Sequence, residues 1–169
     1  PKSISHEHTF AEDTTDPDLI ESTLAQLCVM VGRRLREHAL YARTVQLKLR
    51  YKDFTTITRA RTLDHATQLD TELLRESRML FRRNWKPGAA VRLVGVQAGS
   101  LVPVEGQMNL LEEEQSDRWR KALGAVDRLR DKFGESAVSL GAAVKGVWRE
   151  KTHENPASLP GKKKIRAKD

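Results

Sequence analysis

The sequence contains a single cysteine, Cys28, among its 169 residues. One thiol excludes an internal disulfide and is typical of a reducing compartment, so we expect a cytoplasmic protein. No run approaches the roughly 18 apolar residues that a membrane-spanning helix needs, and no signal-peptide pattern opens the chain. The sequence therefore predicts no contact with a membrane.

Residues that perform catalysis or hold metals are also scarce. A Gly-rich phosphate loop and a Ser/His/Asp arrangement are both missing, and the acidic run at 112–114 favours a solvated connector over a Mg²⁺ site. His6 and His8 share one face of a predicted strand, but a metal site needs three or four ligands and no suitably spaced residue completes the set. We expect no catalytic residue, no metal and no cofactor in this chain.

Positive charge, by contrast, is abundant. The formal net charge is +7 at pH 7 and the pI is near 9.8. Such an excess favours an anionic partner without saying which one. Much of it lies in the run KKKIRAK at 162–168, within a tail whose composition is typical of disorder. A binding surface therefore has to be identified from the pattern of residues rather than from total charge.

The most informative pattern lies at residues 43–64. Apolar side chains at 45, 47, 49 and 51 alternate with polar and basic ones at 44, 46, 48, 50 and 52. A period of two places the two sets on opposite faces of a strand. Asp53 and Phe54 allow a tight reversal, and residues 55–63 form a second predicted strand. The result is a hairpin with an apolar underside and a cationic, hydroxyl-bearing upper side that suits a phosphate backbone.

Helices and further strands are predicted on both sides of this hairpin. A strand at 2–12 precedes a helix that opens at Asp16 and Pro17, with Asp as the N-cap and Pro at the first helical position. Thr67 and Asp70 resemble a capping box before a second helix, and a strand follows at 90–100. The order β-α-β-β-α-β predicts an α+β fold, with a four-stranded, mainly antiparallel sheet carrying two helices on one face.

Four units are expected along the chain. Residues 1–100 form the sheet domain, 101–115 a connector, 116–140 a helical extension and 141–169 a disordered basic tail. The chain begins with Pro1 rather than Met, so we expect a segment of a longer protein.

Four motifs, in this order and spacing, carry a resemblance to a known family: KSISHEHTF, TVQLKLRYKDF, TRARTL and VRLVGVQ. They resemble the little-finger domain of Y-family translesion DNA polymerases, in particular the bacterial DNA polymerase IV type. The resemblance implies that the bare sheet face lies against DNA and grips the template and primer backbones. It also implies that the polymerase's Mg²⁺ is held by a separate palm domain that this sequence lacks.

The candidate DNA contacts combine the basic pattern with this resemblance. They are Lys48, Arg50, Lys52, Arg59, Arg61 and Thr62, with Ser3, Ser5 and Thr9 added by the resemblance alone. Arg and Lys bind phosphate strongly and carry no sequence information, which suits an enzyme that accepts any template. Arg59 and Arg61 share parity with apolar Ile57 and Leu63, so their presence on the upper side requires a β-bulge.

A second candidate site is the short patch QMNLL on the connector. Gln107 offers a polar hook, and Met108, Leu110 and Leu111 offer apolar anchors, a pattern that suits docking of a short peptide into a pocket. The resemblance implies that the partner is the sliding clamp. This patch ends in Leu, whereas the family's clamp-binding pattern usually ends in Phe.

Two alternatives have the same topology, an RNA-binding module and a protein-interaction module. RNA readers of this topology stack bases on aromatic side chains of the sheet. The predicted upper side offers none, since Tyr51 falls on the apolar side.

We expect a monomer whose partners are duplex DNA and the sliding clamp.

Overall fold

The computed structural model describes residues 1–103, 110–134, 137, 138 and 141, and of 110–116 only the backbone. Its elements are, in chain order, β1 (Ser3–Thr14), α1 (Pro17–Glu37), β2 (Tyr41–Tyr51), β3 (Thr56–Thr67), α2 (Asp70–Asn84), β4 (Val91–Val102) and α3 (Leu110–Phe133). The predicted α+β class and the order β-α-β-β-α-β are confirmed.

The four strands form one antiparallel sheet in the order β1-β4-β2-β3. Helix α1 packs mainly over β1 and β4, and α2 packs over β2 and β3. Both helices lie on the same side, as predicted. The opposite side, which we call the open face, carries neither of them.

The core lies between the sheet and the two helices, and β2 shows how it forms. Val45, Leu47 and Leu49 are at most 1% exposed, and they pack against apolar side chains of α1 and α2. Burying an aliphatic side chain of this size contributes about 1.5–3 kcal/mol. The predicted apolar underside of β2 is therefore the centre of the core.

The two helices of the sheet domain begin in different ways. At α1 the Asp18 N–H donates to Asp16 Oδ1 at 2.9 Å, and Pro17 occupies the first position, as predicted. At α2 the predicted capping box is wrong. Leu69 is the N-cap residue and no side chain caps it, while the Thr67 hydroxyl accepts from the Leu69 N–H at 3.1 Å.

The Asp70 carboxylate is unavailable for capping because it pairs with Arg36 of α1. Arg36 Nη1 lies 2.8 Å from Asp70 Oδ1, and Arg36 Nε lies 2.7 Å from Asp127 Oδ2 of α3. Asp70 is fully buried, and burial raises its pKa to about 6 although Arg36 opposes the shift. One guanidinium thus joins α1, α2 and α3.

Helix α3 begins at Leu110, earlier than the predicted 116, and β4 continues to Val102. The helix ends at Phe133, before Gly134, whose φ of 98° lies in the left-handed region that favours glycine. Its inward side consists of Leu123, Asp127 and Arg130, and the Arg130 guanidinium donates to the Val138 carbonyl at 3.0 and 2.8 Å. Asp127 and Asp131 of α3 pair with Arg36 and Arg33 of α1, so charged side chains attach the extension to the sheet domain.

Removing the α3 carboxylate should weaken this attachment. Asp127→Ala leaves the half-buried Arg36 with Asp70 as its only carboxylate, so we expect a loss of about 1–3 kcal/mol of unfolding free energy. Urea denaturation measures the loss. Asp117→Ala removes an exposed carboxylate of the same helix, paired with Arg120, and serves as the control. Equal effects of the two variants would contradict a stabilising role for the Arg36 cluster.

A buried histidine should make stability depend on pH. His6 of β1 is 6% exposed, and its burial, with the charge of Arg34, lowers its pKa to about 4. Between pH 6.5 and 4 the unfolded chain binds a proton that the folded chain does not, so stability falls as the pH falls.

Comparison with a His6→Gln variant isolates the effect of the histidine. The raised pKa of Asp70 makes stability rise as the pH falls, but this contribution is the same in both proteins. We expect the difference in unfolding free energy between the two proteins to change by about 3 kcal/mol from pH 7 to pH 4. A difference that does not vary with pH would show that His6 titrates normally.

Candidate nucleic-acid interface

The open face is built from every second residue of the four strands. The strand registers place these residues side by side in rows across the sheet. They are Ser3, Ser5, Glu7 and Thr9 of β1, Leu93, Gly95, Gln97 and Gly99 of β4, Thr44, Gln46, Lys48 and Arg50 of β2, and Thr56, Thr58, Ala60 and Thr62 of β3. The face therefore consists mostly of hydroxyl-bearing and small residues.

Two predicted cations, Lys48 and Arg50, lie on this face. Lys48 Nζ is 2.8 Å from Glu7 Oε2, and Arg50 Nε donates to Thr56 Oγ1 at 2.9 Å. Glu7 is not among the predicted site residues, although it shares parity with Ser3, Ser5 and Thr9. Its carboxylate offsets part of the charge, so the face is less cationic than predicted.

Gly95 allows Glu7 and Lys48 to meet across the intervening strand β4. A Cβ added at Gly95 would lie 3.1 Å from Glu7 Cβ and 3.5 Å from Lys48 Cβ. Any larger residue would therefore crowd both side chains. Because Gly95 has no side chain, the centre of the face is shallow, and a nucleic-acid backbone could approach the sheet closely there.

The predicted hydroxyl contacts share the open face with these charges. Ser3, Ser5 and Thr62 are exposed there, and Thr9 is half-buried. Hydroxyls donate hydrogen bonds to phosphate oxygens without reading the base sequence. Their placement on the open face agrees with the predicted backbone contacts, and their contact with DNA stays a prediction.

Lys52 lies outside the regular part of the face. It follows β2 in the hairpin turn, where its side chain is exposed and its N–H donates to the Ala90 carbonyl at 3.0 Å. Lys52 therefore extends the cationic surface beyond the end of the strand.

Arg59 and Arg61 lie on the opposite side of the sheet. The β2–β3 register is regular from Arg50 opposite Thr56 to Thr44 opposite Thr62, and the irregularity comes only after Thr62. The prediction of a β-bulge within residues 55–63 is therefore wrong.

The two arginines face the helices instead. Arg59 Nε donates to Asn84 Oδ1 at 3.1 Å, and Arg61 Nε lies 3.1 Å from Glu76 Oε2. Because β3 is an edge strand, both side chains are still exposed. Their contact with DNA stays a prediction, and it would have to be made around the sheet edge.

The second candidate site is only partly within the described residues. Gln107 and Met108 lie outside them, whereas Leu110 and Leu111 form the start of α3 with side chains that are not described. The connector predicted to reach residue 115 is therefore shorter.

The described residues contain neither a cluster of metal-ligating side chains nor a membrane-spanning helix. No three His, Cys, Asp or Glu side chains lie close enough together to hold a metal ion. Within the same ranges no helix combines the length and apolar character needed to cross a membrane.

Comparison with known families identifies the class of domain. The family described as impB/mucB/samB family C-terminal domain matches residues 1–110. The chain belongs to this family.

A DNA polymerase IV from Pelotomaculum thermopropionicum is 37% identical over 158 residues, which cover 90% of this chain. The chain spans only 38% of that relative's length. The predicted resemblance to the little-finger domain of a DNA polymerase IV-type enzyme is confirmed.

Two solved structures share the fold. A chain from a structure described as the complex of the beta-clamp processivity factor and the little finger domain of PolIV matches with a TM-score of 0.51 and 25% identity. The match covers 64% of this chain and 97% of the other. A chain of a Dbh ternary complex matches with a TM-score of 0.52 and 13% identity, over 60% of this chain and 30% of that one, and supports the fold alone.

Proposed function

We propose that the open face binds the sugar–phosphate backbones of duplex DNA without sequence preference, as the little finger of a translesion DNA polymerase. The observation that carries the proposal is a sheet face free of α1 and α2, with Lys48 and Arg50 among rows of hydroxyls and small residues. Bare antiparallel faces are common, but this one concentrates groups that bind phosphate. Family membership and the DNA polymerase IV relatives support the same function.

The composition of the face favours DNA over RNA. None of its sixteen residues is aromatic, so it lacks the stacking platform on which sheet-based RNA readers depend. Tyr51, the aromatic residue at the end of β2, packs against the core on the other side. Backbone contacts alone position a nucleic acid without selecting a sequence.

Further activities are proposed on the family resemblance, since the chain spans only 38% of a DNA polymerase IV relative. They are DNA-directed DNA synthesis past lesions, a palm domain that holds Mg²⁺, and work as a monomer in the cytoplasm. Docking on the sliding clamp through Gln107, Met108, Leu110 and Leu111 is proposed as well. A solved structure with the same fold is described as a clamp complex with a little finger domain, which supports that partner.

Salt dependence tests the DNA interface. Each neutralised phosphate contributes about −0.9 to the slope of log affinity against log salt concentration. Lys48→Ala with Arg50→Ala should therefore flatten the slope by roughly one to two units, the lower figure applying if the Glu7 carboxylate offsets the contribution of Lys48. The measurement is fluorescence anisotropy with blunt duplexes of different sequence. Arg75→Ala with Arg82→Ala removes the same charge from the exposed side of α2 and should change the slope less.

The acidic residue of the face provides a check in the opposite direction. Glu7→Gln removes the carboxylate that Lys48 contacts at 2.8 Å, so duplex affinity should rise. If the Lys48 and Arg50 substitutions left the slope unchanged, or if the α2 pair reduced it as strongly, the DNA site would lie elsewhere.

Clamp docking is tested with a peptide of residues 105–115. Two buried Leu side chains provide on the order of 3–6 kcal/mol before ordering costs, so we expect roughly micromolar affinity. Leu111→Phe should tighten binding to the clamp of the same organism, and Leu110→Ala should abolish it. The measurement is calorimetric titration of the three peptides into the clamp. If none of them produced a binding heat, the segment would be a linker and not a docking site.

A further inference from the structure

One aromatic side chain is exposed at the tip of the β2–β3 hairpin. Phe54 is 62% exposed, and the other large apolar side chains exposed among the described residues all lie on α3. A single exposed ring is not unusual in a folded protein. Its backbone conformation and its neighbouring side chains nevertheless indicate a functional role for this ring.

Phe54 has a backbone conformation that favours glycine. Its φ is 66°, in the left-handed region, where Gly and Asn are the usual hairpin residues and a bulky side chain is an outlier. The surrounding turn imposes this conformation: the Phe54 N–H donates to the Tyr51 carbonyl at 2.9 Å, and the Thr55 N–H donates to Asp53 Oδ1 at 2.9 Å. Because Gly would serve the turn with less strain, the ring is retained at a cost, which is typical of a functional position.

A cation holds the ring in place. Arg92 Cζ of β4 lies 4.5 Å from the centroid of the Phe54 ring, a cation–π distance. The guanidinium covers part of the ring and favours this orientation. Since the side chain remains mostly exposed, the rest of the ring is presented to solvent in a defined orientation.

The ring also lies at the end of the open face, because it contacts Arg92 and the next residue, Leu93, is opposite Arg50 in the β2–β4 register. Lys52 lies two residues before it in the same turn, and Arg50 ends the basic row of β2 on the open face. An exposed aromatic ring beside cations is the arrangement with which proteins bind single-stranded DNA, because every unpaired base has a face that can stack. A paired base inside a duplex is already stacked and offers no such face.

We propose that Phe54 stacks on an unpaired base where a single strand leaves the duplex held by the open face. The inference rests on the proposed function and adds the form of the DNA: a duplex with a single-stranded template overhang rather than a blunt duplex. Lys52 and Arg50 bind the phosphates next to that base, and Arg92 keeps the ring oriented for stacking.

The test compares an overhang duplex with a blunt duplex of the same sequence, using the full chain. Affinities come from anisotropy, and 2-aminopurine placed at successive overhang positions reports stacking as a loss of its fluorescence. Phe54→Leu should reduce the overhang preference roughly fivefold to a hundredfold and abolish the quenching at one position. Phe133→Leu alters another exposed ring, on α3, and should change neither.

Phe54→Gly separates stacking from a structural role of the ring. It relieves the left-handed strain, so its thermal midpoint should rise while the overhang preference is lost as in Phe54→Leu. A lower midpoint, or an overhang preference that survives both substitutions, would overturn the proposal and indicate a ring that serves packing or a protein contact.

The blunt duplex keeps this proposal distinct from the proposed function. An unsubstituted chain that binds blunt and overhang duplexes equally well, with a steep salt slope, would overturn the stacking role and leave backbone binding by the open face in place. A chain that binds neither duplex would overturn both proposals.

Discussion

The two-residue alternation along β2 is the constraint on which both the core and the candidate interface depend. Val45, Leu47 and Leu49 are buried against the helices, and this requires Lys48 and Arg50 to point the other way. A slip of one residue would exchange the two sets and bury both cations. Since a domain of this size is stable by only about 5–15 kcal/mol, no such slip could be tolerated. The core therefore fixes the positions of the two cations that we propose bind phosphate.

Features set by neighbouring residues could be predicted from the sequence, and features set by strand order could not. The alternation of β2 and the Asp16–Pro17 helix start depend on a few consecutive residues. The contact between Glu7 and Lys48 depends instead on β4 lying between β1 and β2, and on Gly95 at the crossing point. Nothing local to Glu7 indicates that neighbour, so the charge balance of the face could be read only from the folded chain.

The wrong predictions have a common cause, which is a tertiary contact that outweighs a local preference. Asp70 stands where a capping box would place it, but its buried carboxylate is held by Arg36 from another helix. Arg59 and Arg61 form a basic motif, yet the regular β3 register directs them to Asn84 and Glu76 of α2. In each case the sequence identified a charged group correctly, and the error lay in its placement: Asp70 caps no helix, and the two arginines lie on the helix side of the sheet without a bulge.

The ion pair on the open face bears on how tightly such a surface can hold DNA. Lys48 is already ion-paired in the absence of DNA, because its Nζ lies 2.8 Å from Glu7 Oε2. Binding would exchange one anion for another, so the net gain at Lys48 is smaller than that of an unpaired lysine. The remaining affinity is spread over Arg50 and many hydroxyls, none of which reads a base. In the proposed complex, each contact would therefore be moderate in strength and independent of sequence. A duplex could then advance across the face without one tight contact having to break.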